Sequence, residues 1–328
     1  MKCINKTINK SLLFLLMGSI LLLSGCGKKE LFIPYETHSS ISAYRIYSER
    51  AQGSIQPFAT NLAVVDGDKT EGEVDMSGAA AAGLFDVNNK NTLYAKSVHA
   101  PLEPASLTKV LTALIALKEG NKEDILTASE NVLIQESGAT LCGFMPGDQI
   151  TLEQALHGLL MKSGNDAAVM IAEYNAGSVE AFAEKMNKEA LRLGATNSHF
   201  INPHGLSDAN HYTTVYDMYL IFLEAIQKNE FNEIIQRTEY KSVYKNQKGE
   251  DKEMSFKTTN LYLQGEASPP GNITVMGGKT GTTRAAGSCL VLLSKNAGGN
   301  PFISVILKAE NGETLYAEMT DLLEEIPN

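Results

Sequence analysis

The sequence predicts an α/β (α+β) fold in which one antiparallel sheet is flanked by helices and accompanied by an all-helical subdomain. Strand-like segments occur near residues 61–97 and again after residue 238, whereas residues from about 123 to 228 have mainly helical periodicity. Strands at both ends of the chain that bracket a helical region favour one sheet built by the two ends, with the helices beside it.

The first half of the sheet is predicted from "NLAVVDG" at 61–67 and from "AAGLFDVNNKNTLYAKS" at 81–97, a hairpin whose turn is "NNKN". The next segment, "SLTKVLTALIALKEG" at 106–120, is predicted to be a helix that ends at Gly120. Its apolar residues share one face: Val110, Leu111, Leu114, Ile115 and Leu117.

The remaining elements follow from the same periodicities. Helices are predicted for "TLEQALHGLLMKS", "NDAAVMIAEYNA", "SVEAFAEKMNKEALRLG" and "TVYDMYLIFLEAIQ", and a hairpin for "TEYKSVYK" and "KEMSFKTT". Strands are then predicted for "ITVMGGKTG", "GSCLVLLSKN" and "PFISVILKAE", with a last helix at "ETLYAEMTDLLEEI". The strands at both ends therefore belong to one sheet.

Composition limits the function classes. The chain has 328 residues, 43% of them hydrophobic and 20% charged, with a formal net charge of −10. This is a globular composition, and an acidic chain without basic runs beyond its N-terminus disfavours nucleic acid as a partner. Of the four cysteines, only Cys142 and Cys289 lie in the body of the chain, and both are predicted to be free and buried, with a single bridge between them as the alternative.

The N-terminus predicts export. Residues 1–25 combine three lysines with an apolar run at 12–23 that is too short to span a bilayer about 30 Å thick. The run ends in "LSGC", which resembles the lipobox of bacterial lipoproteins, so Cys26 is predicted to carry a lipid; a plain secretory signal is the alternative. Residues 26–58 are predicted to be a tether and residues 59–328 the folded domain, held outside the bacterial cell membrane by the lipid.

Ser106 and Lys109 lie three residues apart at the start of a predicted helix, so their side chains share one face. A serine hydroxyl needs a base to take its proton, and a desolvated lysine with a lowered pKa is such a base. The spacing alone is a weak indicator, since Ser242 and Lys245 repeat it in a strand-like segment, where residues three apart face opposite sides.

Two further motifs place polar groups at unusual positions. Ser163 and Asn165 lie between two predicted helices, either as a simple helix boundary or as a hydroxyl and an amide presented to a site. Lys279, followed by Thr280 and Gly281, lies in an otherwise apolar strand. Burying this lysine is costly without a partner, and a solvated lysine on an edge strand is the other interpretation.

In their order along the chain, these three motifs resemble those of the penicillin-recognising serine enzymes. The surrounding stretches, roughly residues 60–326, resemble the D-alanyl-D-alanine carboxypeptidases of serine peptidase family S11, which are low-molecular-mass penicillin-binding proteins. They include "EPASLTKVLTALIAL", "MKSGNDAAVMIAE", "NPHGLSDANHYTTVYDM" and "GGKTGTTRAAGSCLV". The resemblance implies a DD-peptidase/β-lactamase-like fold, no cofactor or metal ion, peptidoglycan stem peptides ending in D-Ala-D-Ala as substrate, and β-lactams as covalent inhibitors.

The resemblance also implies catalytic roles for four residues. Ser106 would attack the carbonyl of the terminal D-Ala-D-Ala bond and form an acyl-enzyme, with Lys109 as its base. Ser163 would relay a proton to the leaving D-alanine. Asn165 would hold the Lys109 side of the network and the amide of the substrate.

Substrate binding is implied for the strand motif. Lys279 would supply positive potential, and Thr280 and Thr282 would donate hydrogen bonds to the free carboxylate of the substrate. Gly281 would let the substrate lie against the strand. The backbone N–H groups of Ser106 and Thr282 would form the oxyanion hole.

Three rivals stay open. A class A β-lactamase of the same fold deacylates with a glutamate, but none occurs between residues 190 and 223, so slow deacylation is expected. A sensory protein that acylates without turnover would keep the same motifs. A zinc peptidase is disfavoured because His199, His204 and His211 are not part of an H-E-x-x-H motif. The role of Arg284, close after Lys279, is open, and a contact with a carboxylate is the expectation.

Overall fold

The computed structural model describes residues 61–70, 74–136 and 138–328. The predicted signal peptide (residues 1–25) and the predicted tether (residues 26–58), which includes Cys26, lie outside the described residues. Within the described part of the chain, no helix is both long and apolar enough to cross a membrane.

The main sheet is antiparallel and has five strands: β1 (Ala79–Asp86), β2 (Asn91–Lys96), β7 (Ile273–Thr283), β8 (Gly287–Asn296) and β9 (Pro301–Ala309). Their order across the sheet is β2-β1-β9-β8-β7. The sheet is built from both ends of the described chain, as predicted. The strand predicted at 61–67 is wrong: this stretch has no strand, and only Lys69 nearby forms an isolated bridge, to Ala95.

Helices cover both faces of this sheet. The helices of the described residues, on the sheet and beside it, are α1 (Thr108–Glu119), α2 (Leu152–His157), α3 (Asn165–Ala176), α4 (Val179–Arg192), α5 (Val215–Ala225), α6 (Asn229–Ile235), α7 (Leu261–Gln264) and α8 (Gly312–Glu324). On one face α8 buries Met319 and Leu322 against Leu290 and Ile306. On the other face α5 buries Tyr219 against Phe85, with ring centroids 4.2 Å apart. Burial on both sides makes the sheet a rigid support for its edge strand β7.

The helical region contains a feature that the sequence did not predict. A second sheet has the order β3-β4-β5-β6, with β3 (Ile125–Thr127), β4 (Gln149–Thr151), β5 (Glu239–Lys245) and β6 (Asp251–Lys257). The segment at 123–228 is therefore mainly helical but contributes two strands. A strand of three residues is too short to show an alternating pattern, and pairing with the predicted β5–β6 hairpin stabilises it.

Candidate active site

Ser106 lies in a tight backbone turn. The 3₁₀ turn Ala105–Leu107 leads directly into α1, and Ala105 has a φ of +47°. A non-glycine residue in this region of the backbone map is strained, and such strain is common at functional sites. Gly205 packs against this turn with its own φ of +86°, and a Cβ atom there would lie 1.9 Å from the Ala105 carbonyl oxygen. Only glycine fits at this contact.

A buried hydrogen-bond chain fixes the same turn from below. The backbone N–H of Ile201 donates to Nδ1 of His211 at 3.2 Å, so the ring carries its proton on Nε2. That Nε2 lies 2.8 Å from Oγ1 of Thr108, which in turn donates to the Ala105 carbonyl oxygen at 2.8 Å. Burial lowers the pKa of His211 to about 4, so the ring is neutral at pH 7. Sequence reasoning missed Thr108, and it noted His211 only as one of several histidines.

Lys109 is fully buried beneath Ser106. Its Nζ atom lies 2.8 Å from Oγ of Ser106, 2.7 Å from Oδ1 of Asn165 and 2.6 Å from the carbonyl oxygen of His204. The Asn165 and His204 oxygens can only accept hydrogen bonds. A neutral amine has two hydrogens and one lone pair, so donating to these two oxygens leaves the lone pair directed at the Ser106 hydroxyl.

Electrostatics favours this neutral form. Burial lowers the pKa of Lys109 well below its usual range, and the nearby charge of Lys279 lowers it further. Both causes act in the same direction, because desolvation and a like charge each disfavour an ammonium group. An amine that is neutral and touches a serine hydroxyl can act as a general base.

Ser163 and Asn165 come from the junction between two helices. The five residues Gly158–Lys162 form a π-helical turn, and Ser163 ends it in the left-handed conformation with a φ of +66°. Gly164 is the N-cap residue and Asn165 the first residue of α3. From this junction Asn165 contacts Lys109, and Ser163 contacts Lys279. π-helical turns are rare and often lie at functional sites.

Lys279 lies on the edge strand β7, but it is not solvated: its side chain is 1% exposed. It donates hydrogen bonds to Oγ of Ser163 at 3.0 Å and to the Thr280 carbonyl oxygen at 2.6 Å. Because both partners are uncharged, burial lowers the pKa of Lys279 to about 7. The interpretation as a solvated edge-strand lysine is therefore wrong.

The rest of the strand motif lies close to Ser106. A Cβ atom on Gly281 would stand 2.8 Å from the backbone nitrogen of Ser106, so glycine allows β7 to approach the turn. The hydroxyl of Thr280 contacts that of Thr259 at 2.5 Å. Thr282 follows on the exposed side of the strand and lines the open cleft.

Ser106 divides this cleft into two cavities. The first has a volume of about 690 Å³ and includes Asn165 and the β7 end at Thr282 and Thr283. The second has a volume of about 700 Å³ and includes Ser163 and Thr280. All eight motif residues predicted from the sequence therefore line one cleft or lie directly beneath it.

The remaining candidates are the two cysteines and His204. Cys142 and Cys289 form no disulfide; Cys289 is buried and Cys142 half-buried. Burial and the charge of Lys109 lower the pKa of His204 to about 3, and its carbonyl rather than its ring contacts Lys109. No cluster of three or more His, Cys, Asp or Glu side chains among the described residues is arranged to hold a metal ion.

A buried lysine beneath a serine, beside a second serine and lysine, is the arrangement of a serine enzyme whose base is a lysine. Comparison with known proteins assigns the family. Residues 68–311 match the family described as D-alanyl-D-alanine carboxypeptidase, and the chain belongs to this family. The resemblance drawn from the sequence is confirmed.

Individual relatives agree. The chain is 33% identical over 252 residues to D-alanyl-D-alanine carboxypeptidase DacF of Bacillus subtilis, covering 75% of this chain and 61% of that protein. It is 31% identical over 245 residues to DacB2 of Mycobacterium tuberculosis, covering 74% of this chain and 79% of that protein. The chain thus spans about three fifths of some curated relatives that it matches.

Solved structures confirm the predicted fold. The crystal structure of the Streptomyces K15 DD-transpeptidase superposes with a TM-score of 0.71 at 25% sequence identity, covering 78% of this chain and 98% of that one. A penicillin-binding protein homologue from Mycobacterium tuberculosis superposes with a TM-score of 0.68 at 27% identity, covering 79% of this chain and 94% of that one.

Proposed function

We propose that this protein is a serine-type D-Ala-D-Ala carboxypeptidase that removes the terminal D-alanine of peptidoglycan stem pentapeptides. The observation that carries the proposal is the 2.8 Å contact between Oγ of Ser106 and the buried Nζ of Lys109. With its two hydrogens donated to Asn165 and His204, the amine has only one free site, a lone pair directed at that hydroxyl. The names of the relatives supply the substrate class.

Acylation in the proposed reaction uses Lys109, the backbone and Ser163. Lys109 takes the proton of Ser106 as Oγ attacks the penultimate D-alanine carbonyl, and the backbone N–H groups of Ser106 and Thr282 bind the oxyanion. Such a donor contributes about 10²–10³ in rate. As the C–N bond breaks, the proton passes by way of Ser163 to the leaving amine. Oγ of Ser163 is suited to this because it accepts a hydrogen bond from Lys279.

The free carboxylate of the substrate binds in the second cavity. Lys279 is protonated in part at neutral pH and provides positive potential at the floor, while Thr280 and Thr282 donate hydrogen bonds. Lys162 and Lys257 add two exposed cations to the same cavity. None of the described residues that line it carries a carboxylate, so its charge suits a peptide with a free C-terminus.

Water hydrolyses the acyl-enzyme and regenerates Ser106. A β-lactam presents a carbonyl and a carboxylate like those of the dipeptide, so it acylates Ser106 in the same way. In the segment at 190–223, which contains no glutamate, the group that contacts Lys109 is the carbonyl of His204. Slow release of the β-lactam is therefore expected, which favours a carboxypeptidase over a β-lactamase.

The test is D-alanine release from a pentapeptide ending in D-Ala-D-Ala, measured on the domain from residue 59 beside a Ser106→Ala variant. Release by the native domain and none by the variant is the expected result. Acylation of Ser106 by penicillin without any D-alanine release would contradict the carboxypeptidase and favour a sensor. If the native domain shows no acylation by penicillin and no D-alanine release, the assignment of the site is overturned.

We further propose that Cys26 carries a lipid that holds the domain on the outer side of a bacterial cell membrane. The support is the sequence alone: a basic start, a short apolar run and "LSGC" before the folded domain. Palmitate labelling that is lost in a Cys26→Ala variant, together with release of that variant from membranes, is expected. A Cys26→Ala protein that stays equally membrane-bound would contradict the anchor.

A further inference from the structure

The two cavities beside Ser106 assign the two ends of the substrate, if the proposed function holds. Ser163 and Thr280 line only the second cavity, so the leaving D-alanine and its carboxylate occupy that side. The acyl part of the stem peptide must then extend from Ser106 into the first cavity. Asn165 and the β7 end at Thr283 line that side and not the other.

The two cavities differ in charge. The second contains the exposed cations Lys162 and Lys257 and no carboxylate among its described lining residues. The first contains one group of each sign, Glu136 and Arg284, both exposed. His204 also lines it, but its pKa of about 3 leaves that ring neutral at pH 7. The acyl part of the substrate therefore meets a carboxylate and a guanidinium.

These two charges are not paired within the described chain. The Glu136 carboxylate and the Arg284 guanidinium form no salt bridge within 4.0 Å and no side-chain hydrogen bond, either with each other or with another described residue. Because the Glu136 carboxylate and the Arg284 guanidinium do not pair with each other, both are free to contact a ligand in this cavity. Both groups line one cavity, whose volume of about 690 Å³ is large enough for a peptide side chain.

We propose that the first cavity selects stem peptides whose acyl part carries a side chain with a zwitterionic end, one ammonium and one carboxylate. Glu136 accepts hydrogen bonds from the ammonium, and Arg284 donates a bidentate pair to the carboxylate. A diaminopimelic acid residue next to the D-Ala-D-Ala end has such a side chain, whereas lysine has only the ammonium. This choice refines the substrate of the proposed carboxypeptidase and gives Arg284 a role.

Three pentapeptides that differ only in the third residue test the proposal. They carry diaminopimelic acid, lysine or acetyl-lysine, which present both charges, the ammonium alone, or neither. The native domain is expected to release D-alanine with the highest kcat/KM from the first. Because both protein groups are exposed, each charge contact is expected to change kcat/KM by about three- to tenfold.

One variant at each charged residue distinguishes the ammonium contact from the carboxylate contact. Glu136→Gln is expected to lower kcat/KM for the diaminopimelic acid and lysine peptides, and Arg284→Gln for the diaminopimelic acid peptide alone. Neither variant should change turnover of the acetyl-lysine peptide. Glu123→Gln and Arg237→Gln are matched controls, exposed and outside both cavities, and should leave all three peptides unchanged.

Two results would overturn the inference while leaving the carboxypeptidase intact: equal kcat/KM for all three peptides, or variants that slow the acetyl-lysine peptide as much as the charged ones. Failure of the proposed function would instead appear as no D-alanine release from any peptide. In that case, calorimetric binding of the same peptides to the Ser106→Ala domain still decides the charge preference. Equal affinities would then refute it.

Discussion

The helical wall and the strand wall of the cleft each bury one lysine, and the two lysines differ in their surroundings. Lys109 on α1 contacts three oxygens, including the Ser106 hydroxyl, and both burial and the charge of Lys279 lower its pKa. Lys279 on β7 contacts two neutral oxygens, and burial alone lowers its pKa to about 7. One lysine is thus suited to accept a proton and the other to attract an anion.

The largest expected effect comes from removing the proton acceptor. Lys109→Met keeps the apolar stem but removes the amine, so kcat/KM for D-alanine release should fall by about 10³ or more. Lys118→Met, near the exposed end of the same helix, is the matched control and should stay within about twofold of the native value. A Lys109→Met enzyme that keeps a tenth of the native rate would remove the distinction between the two lysines.

The second largest effect is expected from a substitution where strand β7 closely approaches the Ser106 turn. Gly281→Ala would place a Cβ atom 2.8 Å from the Ser106 backbone nitrogen, so the turn or the strand must shift and disturb the oxyanion hole. We expect kcat to fall by about 10²-fold. Gly271→Ala, where nothing lies within 4 Å, should have no effect. Thermal unfolding of each variant would show whether a loss of kcat reflects misfolding instead.

Lys279→Met is expected to lower activity by a smaller factor and to raise stability. Losing the cation should raise KM and lower kcat/KM by about 30-fold, mostly through weaker carboxylate binding. Between the folded pKa of about 7 and the unfolded value near 10.5, the unfolded chain binds more protons than the folded one. The native protein therefore gains stability from Lys279 deprotonation as pH rises through this window.

Burial of the Lys279 cation consequently lowers the free energy of unfolding most below pH 7. Lys279→Met removes that destabilisation, so the variant should be more stable than the native protein by about 1–4 kcal/mol at pH 6 and by less at pH 10. Urea unfolding at the two pH values measures the difference. A variant destabilised equally at both would mean that Lys279 is not buried as a costly cation.

The smallest expected effect tests the support of the Ser106 turn. Thr108→Val and His211→Phe each break the hydrogen-bond chain to the Ala105 carbonyl, and each should lower kcat by about tenfold. Because both act through one chain, the double variant should be little worse than either single variant. Fully multiplicative losses, or an unchanged kcat, would show that the chain does not position Ser106.

The sequence predicted most of the sheet and the residues of the site, because their patterns are local. A strand such as β8 shows its burial in a continuous apolar run, and each motif places two or three groups within one turn or strand. What it missed depends on long-range contacts. Position 205 must be glycine because it lies against the Ala105 carbonyl, and His211 contacts Thr108. Each contact joins residues that are about a hundred positions apart in the sequence. No local periodicity records such a contact.

The errors have the same origin. The stretch at 61–67 has a short apolar run like that of a strand, yet the backbone N–H of Ala63 donates to the buried Tyr219 hydroxyl, and Ala63 packs in the core as irregular chain. The short strands β3 and β4 exist because they pair with each other and with the β5 hairpin. Tertiary pairing overrides weak local preference in both cases.

The most direct test of the central claim is the pH dependence of Ser106 acylation by penicillin, followed by intact mass. If neutral Lys109 is the base, the native rate falls as pH is lowered and the amine becomes protonated, while the much slower Lys109→Met variant lacks this dependence. The same acid-side fall in both proteins would contradict the account, because the proton acceptor would then be a group other than Lys109.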